Sequence, residues 1–248
     1  MKKIGIVIFF IFLYSNIFAQ FTYGTTGLLN APSAEMQDDK TFIIGGGYLN
    51  EKMTSKQWNY GTYNYYLNVT ILPFLEVAYT ATMFKAKTIG IDWKVDPEKF
   101  CNQDRYFSAR LRVLKEGQFW EYMPAVVFGT SDPYTEASGG QVGSEAGNGY
   151  FSRFYAVATK HFSLGSERIG FSLAYIYNFR RDFKYNGIAA GITYNPSFLP
   201  NLRLIVEHNS RDFAAGMTYV FFKRFHLQAQ LQKFKYFSGG INYVLHLK

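Results

Sequence analysis

A single cysteine, Cys101, stands in 248 residues, so no disulfide framework holds this chain together. Only 18% of the residues are charged, and a chain kept disordered by self-repulsion needs more charge and fewer aromatics. No apolar run beyond the N-terminus approaches the ~20 residues of a membrane-spanning helix, which excludes a helical membrane protein. Lys and Arg nowhere form the interleaved clusters that grip a phosphate backbone, so no nucleic-acid partner is expected. His161, His208, His226 and His246 lie far apart in the chain, without the spacing that gathers ligands around a metal. Gly45-Gly46-Gly47 lacks the following Gly-Lys-Ser/Thr and helix of a phosphate-binding loop. It reads instead as a strand relieved of crowding. No cofactor is expected.

What is abundant is aromatic and small: 20 Tyr, 25 Phe and 22 Gly, with 48% of residues hydrophobic. Met1-Lys2-Lys3 precedes an apolar run from Ile4 to Tyr14, then Ser15-Asn16-Ile17-Phe18-Ala19. A basic start, a short apolar stretch and a small residue at the break make a secretory leader over 1–19, removed near Gln20. Without Lys2 and Lys3 the formal charge falls from +8 to +6. No cysteine follows the break to carry a lipoprotein anchor, and Cys101 reads as a spectator thiol in a loop. Residues 20–39 are turn-rich, with Tyr23-Gly24, Gly27, Asn30-Ala31-Pro32-Ser33 and Asp38-Asp39. They form a periplasmic or plug segment ahead of a barrel over 40–248.

From Lys40 onward the dominant pattern is alternation at period two, the mark of strands with unlike faces. Tyr63, Tyr65, Leu67, Val69 and Ile71 alternate with Thr62, Asn64, Asn68 and Thr70. Phe107, Ala109, Leu111 and Val113 alternate with Ser108, Arg110 and Arg112; Leu202, Leu204 and Val206 oppose Arg203 and Glu207. Phe225, Leu227, Ala229 and Leu231 oppose His226, Gln228, Gln230 and Gln232. Twelve strands are predicted, at 40–50, 60–72, 74–86, 104–115, 121–131, 150–162, 168–180, 186–195, 201–210, 212–223, 224–235 and 237–247. Most run longer than the ~5–6 residues usual in soluble proteins and suit the ~9–11 tilted residues that cross a bilayer.

The connections agree. If the chain starts in the periplasm, the two longest, 87–103 and 132–149, both fall outside, and the turns at the other end are short, as in outer-membrane barrels. The glycine-rich stretch Ser138–Gly149 reads as a flexible external loop, where a glycan could touch it or Trp58 and Trp93. In lipid every backbone amide must be paired, so the sheet must close on itself. The expectation is an all-β, single antiparallel transmembrane barrel in a Gram-negative outer membrane, with lipid as its surrounding partner. Glu76, Arg110, Arg112, Arg203 and Glu207 are the candidate lumen-lining residues, either as a polar track or as mutually paired filling of a narrow barrel.

Two further features bear on function. Ser238-Gly239-Gly240-Ile241-Asn242-Tyr243-Val244-Leu245 resembles the terminal-strand signal read by the outer-membrane assembly machinery, although His246-Leu247-Lys248 follows it. His208 and Ser210 are two apart at the external rim, a spacing with which a histidine can activate a hydroxyl for lipid hydrolysis. That chemistry needs a third residue to orient the imidazole, and none is identifiable. No catalytic residue is assigned.

Three stretches carry a resemblance. They are Tyr23–Met36, with its Gly27-Leu28-Leu29-Asn30-Ala31-Pro32-Ser33-Ala34; the block from Asp104 through Leu111–Gly117 to Met123–Gly129, continuing at Gly149–Ser152 and Tyr155–Lys160; and Leu202–Asn209. Together they resemble the YjbH family of outer-membrane proteins of exopolysaccharide and group 4 capsule biosynthesis. Members are often much longer, and this chain is similar to one barrel of such a protein. The resemblance implies a barrel acting in secretion or surface assembly of polysaccharide, with polysaccharide and periplasmic export components as partners and no enzymatic activity. A general porin or structural barrel is the alternative.

Overall fold

The computed structural model describes residue 20 and residues 22–54, 60–85, 100–133, 150–178 and 186–247. The leader, Trp58, Trp93, the side chain of Cys101 and the loop 138–149 lie outside the described residues. Twelve strands follow one another: β1 (Thr41–Leu49), β2 (Thr62–Leu72), β3 (Leu75–Lys85), β4 (Phe100–Leu114), β5 (Ala125–Ser131) and β6 (Arg153–Leu164). Then come β7 (Glu167–Tyr177), β8 (Gly187–Asn195), β9 (Leu202–His208), β10 (Phe213–Phe221), β11 (Phe225–Gln232) and β12 (Tyr236–His246). Each pairs antiparallel with its sequence neighbours, and β12 returns to β1 to close the barrel. Closure leaves no free edge, because every strand finds both its ladders within the chain.

Two strands depart from the sequence expectation. β4 begins at Phe100, four residues early, because the β3–β4 hairpin continues pairing as far as Lys85 opposite Phe100. β5 begins late, at Ala125, because the preceding residues fold into a tight turn in which the Met123 amide donates to the Trp120 carbonyl at 3.0 Å. Elsewhere the ends agree to within a few residues and the faces agree throughout. Phe107, Leu173 and Tyr175 point outward and are exposed, while Glu76, Arg110, Gln228 and Asn242 point inward and are buried.

We call the end at which β1 starts and β12 finishes the near end. Its turns are short apart from the connection between β4 and β5; Gly117 and Gly165 take positive φ there, a conformation glycine adopts without strain. The far end carries the longer connections, including a 3-10 turn at Glu51–Met53 after β1.

The interior is filled. From Lys40 back to Gln20 the chain folds up inside the wall, and Leu28, Leu29, Ala31, Ala34 and Met36 pack on Val127, Val157, Ile176, Ala189, Ile205 and Ala214. A second cluster toward the far end joins Leu49, Met53, Tyr66, Tyr106 and Phe151, with Tyr23 packed against it. The apolar part of the inner wall lies on β5 to β10, interspersed there with buried Arg153, Thr159, Arg203 and Glu207, and the rest is mainly polar. Gly191 and Gly216 make room for the plug: a Cβ on either would come within 2.2 Å of Leu28 Cδ1 or 2.9 Å of Leu29 Cδ2.

Candidate functional site

The polar part of the lumen is built around residues 20–39. At the near end Glu35, late in the segment, receives both terminal nitrogens of Arg203, at 2.9 and 2.8 Å. Such a bidentate fork is the strongest geometry for this pair. His161 Nε2 lies 2.9 Å from Glu35 Oε1, and its Nδ1 lies 2.7 Å from Glu116 Oε2 in the β4–β5 turn. The His161 amide also donates to Glu116, at 2.8 Å. With an acceptor-only carboxylate on each side, both ring nitrogens are satisfied only in the imidazolium form. A continuous ionic chain thus runs from the barrel rim through Glu116, His161 and Glu35 to Arg203.

Beside it, Arg110 donates to Glu76 at 2.9 Å and to the backbone carbonyls of Ser33 and Glu35. Glu76 accepts in addition from the Thr26 amide at 2.6 Å and from Asn68 Nδ2 at 2.7 Å. Both side chains are wholly buried. Removal from water costs each ion several kcal/mol, a loss offset by pairing; the plug backbone supplies much of it, leaving Arg110 Nε without a hydrogen-bond partner among the described residues.

Glu207 works without a cation. Its carboxylate accepts three consecutive plug amides, from Leu29 at 2.9 Å, Asn30 at 2.8 Å and Ala31 at 3.1 Å. Successive N–H groups converging on one anion form a backbone nest. Toward the far end Arg153 stacks over Tyr23, 3.3 Å from the ring centroid, and donates to the Asn30 carbonyl at 2.9 Å. A recess lined by Thr22, Tyr23, Asn30, Arg153, Asn209 and Gln232 holds about 30 Å³. At about 10–15 Å³ per water centre, that is space for two waters or so and not for a sugar ring.

The Glu35 and Glu116 anchors, which lie outside the strands themselves, loosen as pH falls. Burial alone would raise the Glu35 carboxyl, but the Arg203 charge and the His161 hydrogen bond outweigh it and hold it at about 2. In the rim turn Glu116 is likewise held at about 2, burial being opposed by its bonds from His161. A carboxyl lowered from its ordinary 4.5 contributes stability that is complete above that value and lost as pH falls through the lowered one. Through these two carboxyls, protease access to residues 20–39 is expected to rise as pH falls from about 4.5 to 2. Access unchanged over that range would contradict this account.

The family model YjbH, described as exopolysaccharide biosynthesis protein YbjH, matches residues 19–246. The chain belongs to the YjbH family. None of the curated proteins matches it in a sequence search. Among solved structures, this YjbH-family chain is similar to the outer membrane phospholipase A from Escherichia coli. Identity is 12%, over 85% of this chain and 97% of that one, with a TM-score of 0.38. It is also similar to the Salmonella typhi outer membrane phospholipase dimer with bound calcium, at 11% identity over 84% and 90% of the two chains, with a TM-score of 0.37. No functional role is transferred at that distance.

Four of the five residues singled out from sequence, Glu76, Arg110, Arg203 and Glu207, are inward and buried, and each holds the plug. Arg112 is different: it sits at the near-end rim, and its guanidinium donates to the Pro73 carbonyl. The structure does not bring His208 and Ser210 onto one strand. His208 ends β9 with its ring against Phe213, centroids 4.8 Å apart, and Ser210 lies in the following turn at φ 75°.

Sequence reasoning missed Glu35, Glu116, His161 and Arg153. Histidine and carboxylate at separations of 45 and 126 residues leave no local pattern. The one usable signal is parity, since Arg153 and Val157 share the inward face of β6.

Proposed function

We propose that this YjbH-family barrel resides in the outer membrane of a Gram-negative bacterium and takes part in secretion or surface assembly of exopolysaccharide. The observation that carries the membrane half is the inverted polarity of the wall. Tyr63, Phe107, Leu173, Ile188 and Ile241 are each more than half exposed on the outside, while Arg110 and Glu76 are wholly buried within. A soluble protein does not expose a contiguous apolar belt of this kind, whereas hydrocarbon favours it. Near-end aromatics such as Phe119, Trp120, Tyr122 and Phe222, all exposed, fit an interfacial girdle. In this reading the near end is periplasmic and the far end external. The terminal strand Ser238–Leu245 presents the barrel to the assembly machinery, and periplasmic export components meet the near-end turns.

Family membership supports the polysaccharide half. Glu76, Arg110, Arg203 and Glu207 then act twice: they hold residues 20–39 in place, and they line a polar path once that segment moves, with Arg112 at its periplasmic mouth. The filled lumen disfavours a constitutively open general porin. The test is polysaccharide at the cell surface and in the periplasm of a deletion strain. Surface loss with periplasmic accumulation is expected, and unchanged amounts in both compartments would sink the secretion reading.

The barrel acts here without catalysis. Esterase activity of membranes carrying the protein is expected to be the same with Ser210→Ala as with the unaltered chain. A loss specific to that variant would reinstate the lipid-hydrolase alternative based on His208 and Ser210.

A further inference from the structure

The outward face of β2, β3 and β4 changes character near the far end. Phe107 and Tyr79 pack ring on ring, 5.2 Å apart, in one register row with Leu67. The next outward row is Tyr65, Ala81 and Arg105. Here an exposed arginine borders the apolar belt directly. Its Nε donates to Gln103 Oε1 at 3.1 Å, and the Tyr65 hydroxyl donates to the same oxygen at 2.9 Å. Gln103 therefore holds the guanidinium at Nε, and its terminal nitrogens bond to none of the described residues. Further along, Lys85 lies over the rings of Tyr60 and Phe100, at 5.1 and 5.5 Å. Phe100 packs in turn on Tyr63, and Tyr63 on Tyr48.

Neither cation has an ion-pair partner among the described residues. At the same end Lys52 is paired with Glu51 at 2.7 Å, and Lys233 with Asp212 at 3.1 Å. An exposed guanidinium at a hydrocarbon boundary, without a counter-charge among the described residues, matches a phosphate oxygen pair, which Arg recognises through two parallel N–H donors. The apolar row beneath it matches an acyl chain descending from that phosphate.

We infer that Arg105 and Lys85, whose rows lie four residues apart along β3, bind the two phosphates of a phosphorylated glycolipid of the outer leaflet, of the lipid A type. Gln103 and Tyr65 position the arginine, and Phe107, Tyr79 and Leu67 receive an acyl chain. The inference rests on the membrane-spanning reading above. It places one ordered lipid against the wall on the β2–β4 side, with its headgroup beside the external mouth.

The test uses the whole mature chain, first inserted into vesicles and then taken into detergent for native mass spectrometry. The probes are bisphosphorylated lipid A, the same lipid dephosphorylated, and inorganic phosphate. Arg105→Gln with Lys85→Gln is expected to weaken lipid A binding roughly tenfold or more. Removing the lipid's phosphates should cause a similar loss in the unaltered protein and little in the double variant. Lys52→Gln with Lys233→Gln should leave affinity unchanged. Equal binding by the two double variants overturns the site, as does inorganic phosphate binding as tightly as lipid A. Failure of the unaltered chain to insert into vesicles would instead remove the spanning reading, and this site with it.

Discussion

Deleting residues 22–36 is expected to turn a non-conducting barrel into an open pore. In the intact chain the segment fills the lumen from both chemical sides. Leu28 and Leu29 occupy the apolar part, against Ile176, Ala189 and Ile205, and the Thr26, Leu29, Asn30 and Ala31 amides occupy the wall's carboxylates. A twelve-stranded wall is wider than the eight-stranded barrels whose own side chains close the interior, so the space the segment leaves should pass ions. The measurement is single-channel conductance in planar bilayers. The full chain should show rare or no openings, and the deletion variant a steady conductance. Within that variant, Arg110→Glu together with Arg203→Glu should shift selectivity from anions toward cations, because both guanidinium groups then face water rather than the plug. A deletion variant that stays silent while correctly inserted would show that the wall's own side chains close the lumen. Unchanged selectivity on charge reversal would take these arginines off the path.

The wall is legible in the sequence because period two leaves little freedom. Over Leu67–Ile71 of β2 and Phe107–Val113 of β4 the outward set is aromatic and aliphatic while the inward set is Thr, Asn, Ser and Arg, so a register slip of one residue would put Arg110 in lipid. The same reasoning weakens from β5 to β8, where Val126 and Val127, or Ala189 and Ala190, are apolar on both faces. Such a pattern belongs to strands covered on two sides. Here the second cover is the plug, so the failure of alternation is itself the trace of Leu28 and Leu29. The plug's turns are readable from Gly24 and Asn30-Ala31-Pro32, but its docking is not. Glu207 is held by backbone amides, which carry no side-chain signature. The ionic chain through Glu35 assembles from β6, β9 and a rim turn that only barrel closure brings together. A buried carboxylate and its partners are selected by three-dimensional proximity, and charge spacing along the chain is silent about that.

Replacing Arg203 by Met is expected to cost about 3–5 kcal/mol of plug anchoring, the usual consequence of leaving one partner of a buried pair without the other. Glu35 would keep His161 on one oxygen and only the Ser33 hydroxyl, at 3.3 Å, on the other. The effect should appear in two places. Residues 20–39 should become open to protease at a pH where the unaltered plug is protected, and the temperature at which the folded gel band converts to the unfolded one should fall. The double variant Glu35→Gln with Arg203→Met should recover much of the loss, since a neutral amide needs no counter-charge. His161 would then lack its inner carboxylate and retain Glu116 alone, which sets the part not recovered. Equal protection in the Arg203 single variant would mean that the three amides on Glu207, and not the ionic chain, hold the segment. Glu207→Leu would then be the substitution that frees it. If instead the single variant opens the plug and conducts, the Glu35–Arg203 fork is the latch. A periplasmic partner pulling on the Glu116 turn, two hydrogen bonds away through His161, would have a physical route to release it.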